Sequence, residues 1–181
     1  MTCALLLLHR PVAAQSGSAF ELARGSVASV SHYVAAEAVP GQLALPSNLV
    51  VSSMHQPLVE SMLRDSPTFR RQCVRIAGET ALTVHLSIGL RSRSYLRATT
   101  RVSRDAIGRL VAFVEIGSLR EAEELVAHEF EHIIEQLDGV DLAARAGLAH
   151  SGVTALGPGR AIFETQRATR MGLKVAAELS R

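Results

Sequence analysis

The chain has 181 residues, 48% of them hydrophobic and 20% charged, which is enough for one domain with an apolar core. A formal net charge of +2 and an aromatic content of 4% leave neither the basic surface nor the stacking platforms of nucleic-acid-binding proteins. The two cysteines, Cys3 and Cys73, exclude a disulfide framework and a cysteine-based metal site.

The first residues predict a secretory signal. The apolar run Ala4–Leu8 and the small residues Val12 and Ala14 suit cleavage after Ala14, so residues 1–14 are the predicted signal peptide and the mature protein is expected to be secreted or periplasmic. The usual positive n-region is missing and His9–Pro11 interrupts the run, which a truncated gene start would explain. A cytoplasmic protein with a hydrophobic N-terminus is the alternative. No later segment has the roughly 18 apolar residues of a membrane span.

Residues 15–50 are rich in Gly, Ser, Ala and Pro and have no sustained period, which predicts a weakly structured lead-in. Residues 51–181 then form the predicted single metallopeptidase-like domain. Its first element is a helix over residues 56–76, divided in two at Ser66-Pro67 because a serine cap followed by proline suits the first turn of a helix.

Three strands follow, over residues 81–88, 95–103 and 109–116. Apolar residues alternate in the first of them, and the other two are rich in residues that favour strands. A turn at Asp105–Gly108 joins the last two. We expect the three strands to form a small antiparallel meander, with His85 on its outer side.

The period becomes helical after Gly117. Ser118 and Glu121 match a capping box at the start of this helix, and Gly139 suits its end. The glycine-rich segment 152–159 separates it from a last helix, predicted over residues 160–179. The expected fold class is therefore α+β.

His128, Glu129 and His132 form a His-Glu-x-x-His motif within the first of these helices. Residues four apart lie about 40° apart around a helix and roughly 6 Å along it, so both imidazoles can reach one metal ion. Glu129 lies about 100° round from His128, where it can act as general base toward a metal-activated water. The motif predicts a Zn²⁺ site with His128 and His132 as ligands.

Two other interpretations of this helix remain. It carries many acidic residues and is compatible with a solvated charged face. Glu129 and His132 also match the Glu-x-x-His half-site of di-iron bundles, but no second such half-site occurs in the sequence and the preceding strands argue against a bundle.

A zinc site needs a third protein ligand. Asp138 has the spacing of the last metzincin ligand, but Glu135 occupies the position where that motif bends at a glycine, and a helix continuing to residue 137 carries Asp138 out of reach. Glu164 is the better candidate because it heads an apolar helical stripe, which continues through Ala168, Met171, Val175 and Leu179. A buried ion pair of Glu164 with Arg160 or Arg167 is the alternative.

The motif at residues 128–132 with Glu164 resembles the gluzincin arrangement of zincin metallopeptidases over residues 107–179. It is also similar to small, uncharacterised bacterial secreted proteins. The resemblance implies that His128, His132 and Glu164 are zinc ligands and Glu129 the general base. It implies a zincin-like fold: a small antiparallel sheet, an active-site helix, and a C-terminal helix carrying the third ligand. It also implies that the strand before the helix forms the sheet edge that binds the substrate backbone.

These features together predict a zinc-dependent hydrolase, most simply a peptidase acting on a peptide or protein. The alternative is a zincin-fold binding or metal-stabilised module without turnover. Asp138, Asp141 and Glu135 are candidates for orienting the histidines, and His150 for stabilising an oxyanion.

Overall fold

The computed structural model describes residues 4–7, 44–88, 97–156 and 162–181, with the backbone alone for residues 4–7. These residues belong to one unit of the chain, Met1–Leu8 with Leu43–Arg181. The second unit, His9–Gln42, lies outside the described residues, as do the predicted cleavage after Ala14 and most of the lead-in. No helix in the described ranges is long and apolar enough to span a membrane.

The described residues form an α+β fold, as predicted. Its elements, in chain order, are β1 (Ala4–Leu7), β2 (Leu49–Val51), α1 (Gln56–Asp65), α2 (Pro67–Ala77), β3 (Leu82–Ile88), β4 (Ala98–Arg104), β5 (Leu110–Ile116), α3 (Ala122–Leu137), α4 (Leu142–Ala146), β6 (Val153–Leu156), β7 (Ile162–Thr165) and α5 (Gln166–Leu179). The strands form one mixed sheet in the order β2-β3-β5-β4-β1-β7-β6.

The predicted antiparallel meander is wrong. β3 and β5 are parallel, β4 is antiparallel to β5, and β3 and β4 are not neighbours. β5 has the apolar sequence LVAFVEI and buries Ala112, Val114 and Ile116 on one face, and a strand with so many apolar residues is most stable when both of its edges are paired. For the same reason the strand before the helix does not form a sheet edge, which corrects the expectation from the gluzincin resemblance.

The apolar core lies between this sheet and the helices. Alternate residues of β3 are buried, from Leu82 to Ile88, and they pack in one cluster with buried residues of α1, α2, α3 and α5. On the other side of the sheet His85 stacks on Phe113 with ring centroids 5.1 Å apart, so His85 is half-buried. The division between α1 and α2 is confirmed: Ser66 Oγ accepts a hydrogen bond from the amide of Phe69 at 3.0 Å.

The predicted capping box of α3 is wrong. The helix begins at Ala122, Glu121 occupies the N-cap position without a side-chain cap, and Ser118 Oγ accepts from the amide of Arg120. Glu121 forms an ion pair with Arg97 instead, so its carboxylate is not available to close the box. The predicted end is confirmed: Gly139 follows the helix with a φ of +69°, a conformation that favours glycine.

The predicted last helix begins too early. Glu164 lies in β7, and α5 begins only at Gln166, where Thr165 Oγ1 accepts from the amide of Ala168 at 3.0 Å. β7 pairs with β6, so the segment predicted as a glycine-rich spacer contains a strand. Alternation along β7 buries Phe163 and Thr165 and directs Glu164 to the opposite side.

β1 lies within the sheet, paired in parallel with β4 and antiparallel with β7. It therefore connects the three-strand group β3-β5-β4 to the β6-β7 hairpin that carries Glu164. The signal peptide stays a prediction; its removal after Ala14 would take this strand out of the sheet.

Candidate metal centre

α3 brings the two histidines of the motif to one side. The ring centroids of His128 and His132 are 4.9 Å apart, with the ring planes at 75°. Both side chains are buried, and neither Nε2 atom has a hydrogen-bond partner among the described residues. Two buried nitrogens without partners thus face one small region.

Glu164 reaches the same region from β7. Its Oε1 lies 3.2 Å from His128 Nε2 and accepts a hydrogen bond from Thr169 Oγ1, also at 3.2 Å. Its Oε2 is buried without a partner. One donor atom each from His128, His132 and Glu164 lie within 4.8 Å of one another. The structure therefore brings together the three predicted ligands, although the third comes from a strand and not from the last helix.

Glu129 lies beside this cluster and is completely buried. Neither of its carboxylate oxygens has a hydrogen-bond partner among the described residues. Burial raises the pKa of Glu129, and positive charge on His132 and His128 opposes that rise. Glu129 is therefore a carboxyl group with a high proton affinity beside the predicted ligands.

A hydrogen-bonded chain orients His132. Its Nδ1 is 2.9 Å from Glu135 Oε2, and Glu135 Oε1 accepts from Thr165 Oγ1 at 2.8 Å. The same Thr165 oxygen caps α5. Because Nδ1 is engaged by a carboxylate, Nε2 is the nitrogen left to bind a metal. Burial lowers the pKa of His132, but the hydrogen bond to Glu135 and the charge of Glu129 outweigh it, so the net pKa is raised.

Three residues were predicted to orient the histidines. Glu135 contacts His132, whereas Asp138 and Asp141 contact other groups. Asp138 forms ion pairs with Arg75 at 3.4 Å and Arg167 at 3.0 Å. Asp141 caps α4 by accepting from the amide of Ala144. Asp138 misses the site because it follows the last turn of α3, where it lies on the surface between helices. Thr165 was missed; its signal in the sequence is a threonine immediately before an apolar helical stripe.

The burial and the ion pairs of the described residues test the alternative interpretations of α3 and Glu164. The solvated acidic face is wrong, since Glu129, Glu131 and Glu135 are all buried. Arg167 does not pair with Glu164; it donates to Glu131 Oε1 at 2.6 Å and to Asp138. The other proposed partner, Arg160, lies outside the described residues.

Close packing of α5 holds α3 beside the site. A Cβ added at Gly172 would lie 2.8 Å from the backbone oxygen of Glu124 and 3.2 Å from His128 Cβ. Glycine is therefore needed here for the two helices to approach at the level of His128. Nothing in the periodicity of the sequence indicated this role, because Gly172 interrupts an otherwise ordinary helix.

The donor set fits a divalent metal such as Zn²⁺. Two imidazole nitrogens and one carboxylate oxygen are a usual protein set for a hydrolytic zinc ion. Buried polar atoms without partners cost about 1–3 kcal/mol each, and His128 Nε2, His132 Nε2 and Glu164 Oε2 are three of them. An ion bound among them would remove that cost.

His150 lies in the turn before β6 and has a positive φ of 60°. It is exposed, and together with Glu164 it lines a pocket of 280 Å³. The predicted oxyanion role stays a prediction, since His150 and Glu164 line the same pocket but no hydrogen bond or ion pair joins them among the described residues.

No protein-family model, curated protein or solved structure matches the chain. What this protein does is therefore inferred from the geometry of this site.

Proposed function

We propose that this protein is a zinc-dependent hydrolase and that its substrates are peptides or proteins. The observation that carries the proposal is the convergence of His128 Nε2, His132 Nε2 and the Glu164 carboxylate beside a buried, unpartnered Glu129. The combination of two nitrogens, one carboxylate and an adjacent acid–base group is the functional set of a hydrolytic zinc centre.

His128, His132 and Glu164 would hold the ion. Zn²⁺, when bound, supplies a Lewis acid that polarises a carbonyl oxygen and acidifies water. Glu129 takes the proton of the attacking water and returns it to the leaving nitrogen, and its raised pKa suits the second of these transfers. Glu135 keeps the proton of His132 on Nδ1 and so leaves Nε2 as a donor.

The peptidase assignment rests on chemistry that an amide requires. Amide nitrogen is a poor leaving group until it is protonated, so a carboxyl group whose pKa is raised by burial suits the delivery of that proton. The competing proposal is a metal-stabilised module without turnover, favoured by the complete burial of Glu129 and His132. Export from the cytoplasm remains a proposal from the apolar run at residues 4–8.

Zinc-dependent cleavage of a diverse peptide library distinguishes the peptidase from the metal-stabilised module. We expect wild-type protein loaded with Zn²⁺ to cleave peptides, and Glu129→Gln to lose at least about 100-fold of the rate while it still binds zinc. Asp138→Asn is the matched acidic control, and it should keep the wild-type rate. Equal background cleavage by wild type and Glu129→Gln would leave the metal-stabilised module as the better account.

A further inference from the structure

A second pocket, of 330 Å³, adjoins the one that contains Glu164. The two share the wall formed by His150–Val153, Thr165 and Gln166. The first pocket includes the predicted ligand Glu164, and the second includes Glu135, the residue that orients His132. Both pockets therefore border the candidate metal centre on the side of the β6-β7 hairpin.

The second pocket is positively charged. Its charged lining residues are Glu135, Arg145, Arg167 and Arg170. Glu135 is engaged by His132 and Thr165, and Arg167 by Glu131 and Asp138.

Two cations in this lining have no acidic partner. Among the described residues no carboxylate lies within 4 Å of the guanidinium of Arg145 or Arg170, although Arg170 Nε donates to the backbone oxygen of Gln166. Both residues are exposed to the pocket side of the molecule, so a ligand can reach them.

The position of this charge favours an anion. Arg145 and Arg170 line one concave surface without an acidic partner among the described residues, and a bound anion would compensate their charge. The pocket also lies at the first turns of the 14-residue helix α5, whose N-terminal dipole adds to the positive potential. Guanidinium groups bind carboxylates with paired hydrogen bonds, which gives them a geometric preference beyond charge.

We infer that Arg145 and Arg170 bind a carboxylate of the substrate beside the metal centre, so that the enzyme selects peptides with an acidic group near the cleaved bond. This inference rests on the proposed hydrolase function and names its substrate class. The carboxylate has two possible sources in a peptide, an Asp or Glu side chain and the terminal α-carboxylate. A pocket of 330 Å³ accommodates either one.

Peptide binding to zinc-loaded Glu129→Gln protein tests the inference without turnover. Three peptide sets are compared: amidated peptides with Asp or Glu, neutral peptides with a free C-terminus, and amidated peptides with Asn or Gln. We expect one of the two carboxylate sets to bind about tenfold more tightly than the neutral amides, and the preference to weaken with added salt. The set that shows the preference identifies the source of the carboxylate.

Variants then assign the preference to the pocket. Arg145→Gln with Arg170→Gln should abolish it, and Arg145→Glu with Arg170→Glu should transfer it to lysine-containing peptides. Arg109→Gln is the matched control, because Arg109 is exposed at the start of β5 and lines neither pocket. Equal binding of all three peptide sets by the parent protein, or a preference that survives the double variants, would overturn the inference.

The same titrations on metal-free protein separate the two proposals. If the chain binds no zinc but still prefers a carboxylate through these arginines, the hydrolase proposal fails and the pocket stands. If it binds zinc and cleaves peptides without regard to acidic groups, the hydrolase proposal stands and the pocket assignment fails.

Discussion

At the scale of single residues, Glu135 connects His132 to the strand that supplies Glu164. One carboxylate oxygen contacts His132 Nδ1 and the other accepts from Thr165, which neighbours Glu164 in β7. The position of one predicted ligand is thereby linked to the position of another. Preorganisation of this kind reduces the ordering that metal binding must impose.

Glu135→Gln and Thr165→Val should therefore weaken zinc binding without removing a ligand. We expect about a tenfold to 100-fold rise in the zinc dissociation constant for Glu135→Gln, and a smaller rise for Thr165→Val. Competition with a chromogenic chelator measures both. Thr165→Ser keeps the hydroxyl and should restore most of the affinity; if it binds no better than Thr165→Val, the hydrogen bond is not the cause.

Glu129 provides a prediction about stability and pH. Its pKa in the folded protein lies above the ordinary value of 4.5, so the folded metal-free protein favours the protonated carboxyl group. The raised pKa contributes to the free energy of unfolding. This contribution is complete below about pH 4.5 and is lost as pH rises through the folded-state pKa. Gln at this position cannot ionise and so avoids this loss, and Glu129→Gln should therefore make the metal-free protein more stable than wild type at pH 7.5 by about 1–3 kcal/mol.

Thermal unfolding of metal-free wild type and Glu129→Gln across pH 4.5 to about 7.5 measures this difference. The difference in Tm between wild type and Glu129→Gln should widen as pH rises. A gap that is constant or narrows with pH would mean that Glu129 is not held protonated by burial.

At the scale of elements, the contact between α3 and α5 determines where His128 lies. Gly172 permits this contact because a larger residue would meet the backbone oxygen of Glu124 at 2.8 Å. Backbone cannot rotate away as a side chain can, so the helices must separate to accept a methyl group.

Gly172→Ala should accordingly destabilise the protein by about 1–3 kcal/mol, against the usual gain from replacing glycine with alanine in a helix. Urea unfolding of the metal-free protein measures the change. Gly147→Ala is the control, since a Cβ there would lie at an ordinary 3.6 Å from the oxygen of Ala144. Equal stability of the two variants would show that the helices do not approach closely at Gly172.

The boundaries of the helices and strands show which features could be predicted from the sequence. Ser66-Pro67 and Gly139 are local signals, and the boundaries at both were correct because each acts within one turn of its own helix. The start of α3 was wrong because a partner distant in sequence, Arg97, engages Glu121. The apolar stripe of α5 was extended back over Glu164, although Thr165 is the cap that ends β7 and begins the helix.

At the scale of the whole molecule, strand order was beyond prediction because it depends on pairing between segments far apart in the chain. Ala98 and Ile88 both pair with Ile116, which places β5 between two strands that the sequence suggested as neighbours. The metal cluster was more predictable. The spacing of His128 and His132 is a property of one helix, and Glu164 lies next to both histidines as predicted, although it is half-buried in a strand and not buried on a helix face.

One helix, α3, and one strand, β7, bring the three predicted ligands together, and we propose that His128, His132 and Glu164 bind one zinc ion. Zinc content of purified protein, measured by mass spectrometry after equilibration with Zn²⁺ and exhaustive dialysis, tests it most directly. We expect one zinc per chain in wild type and in Asp138→Ala, and loss of most of the zinc in His128→Ala, His132→Ala and Glu164→Ala. No stoichiometric zinc in wild type, or full zinc in Glu164→Ala with loss in Asp138→Ala, would contradict the account.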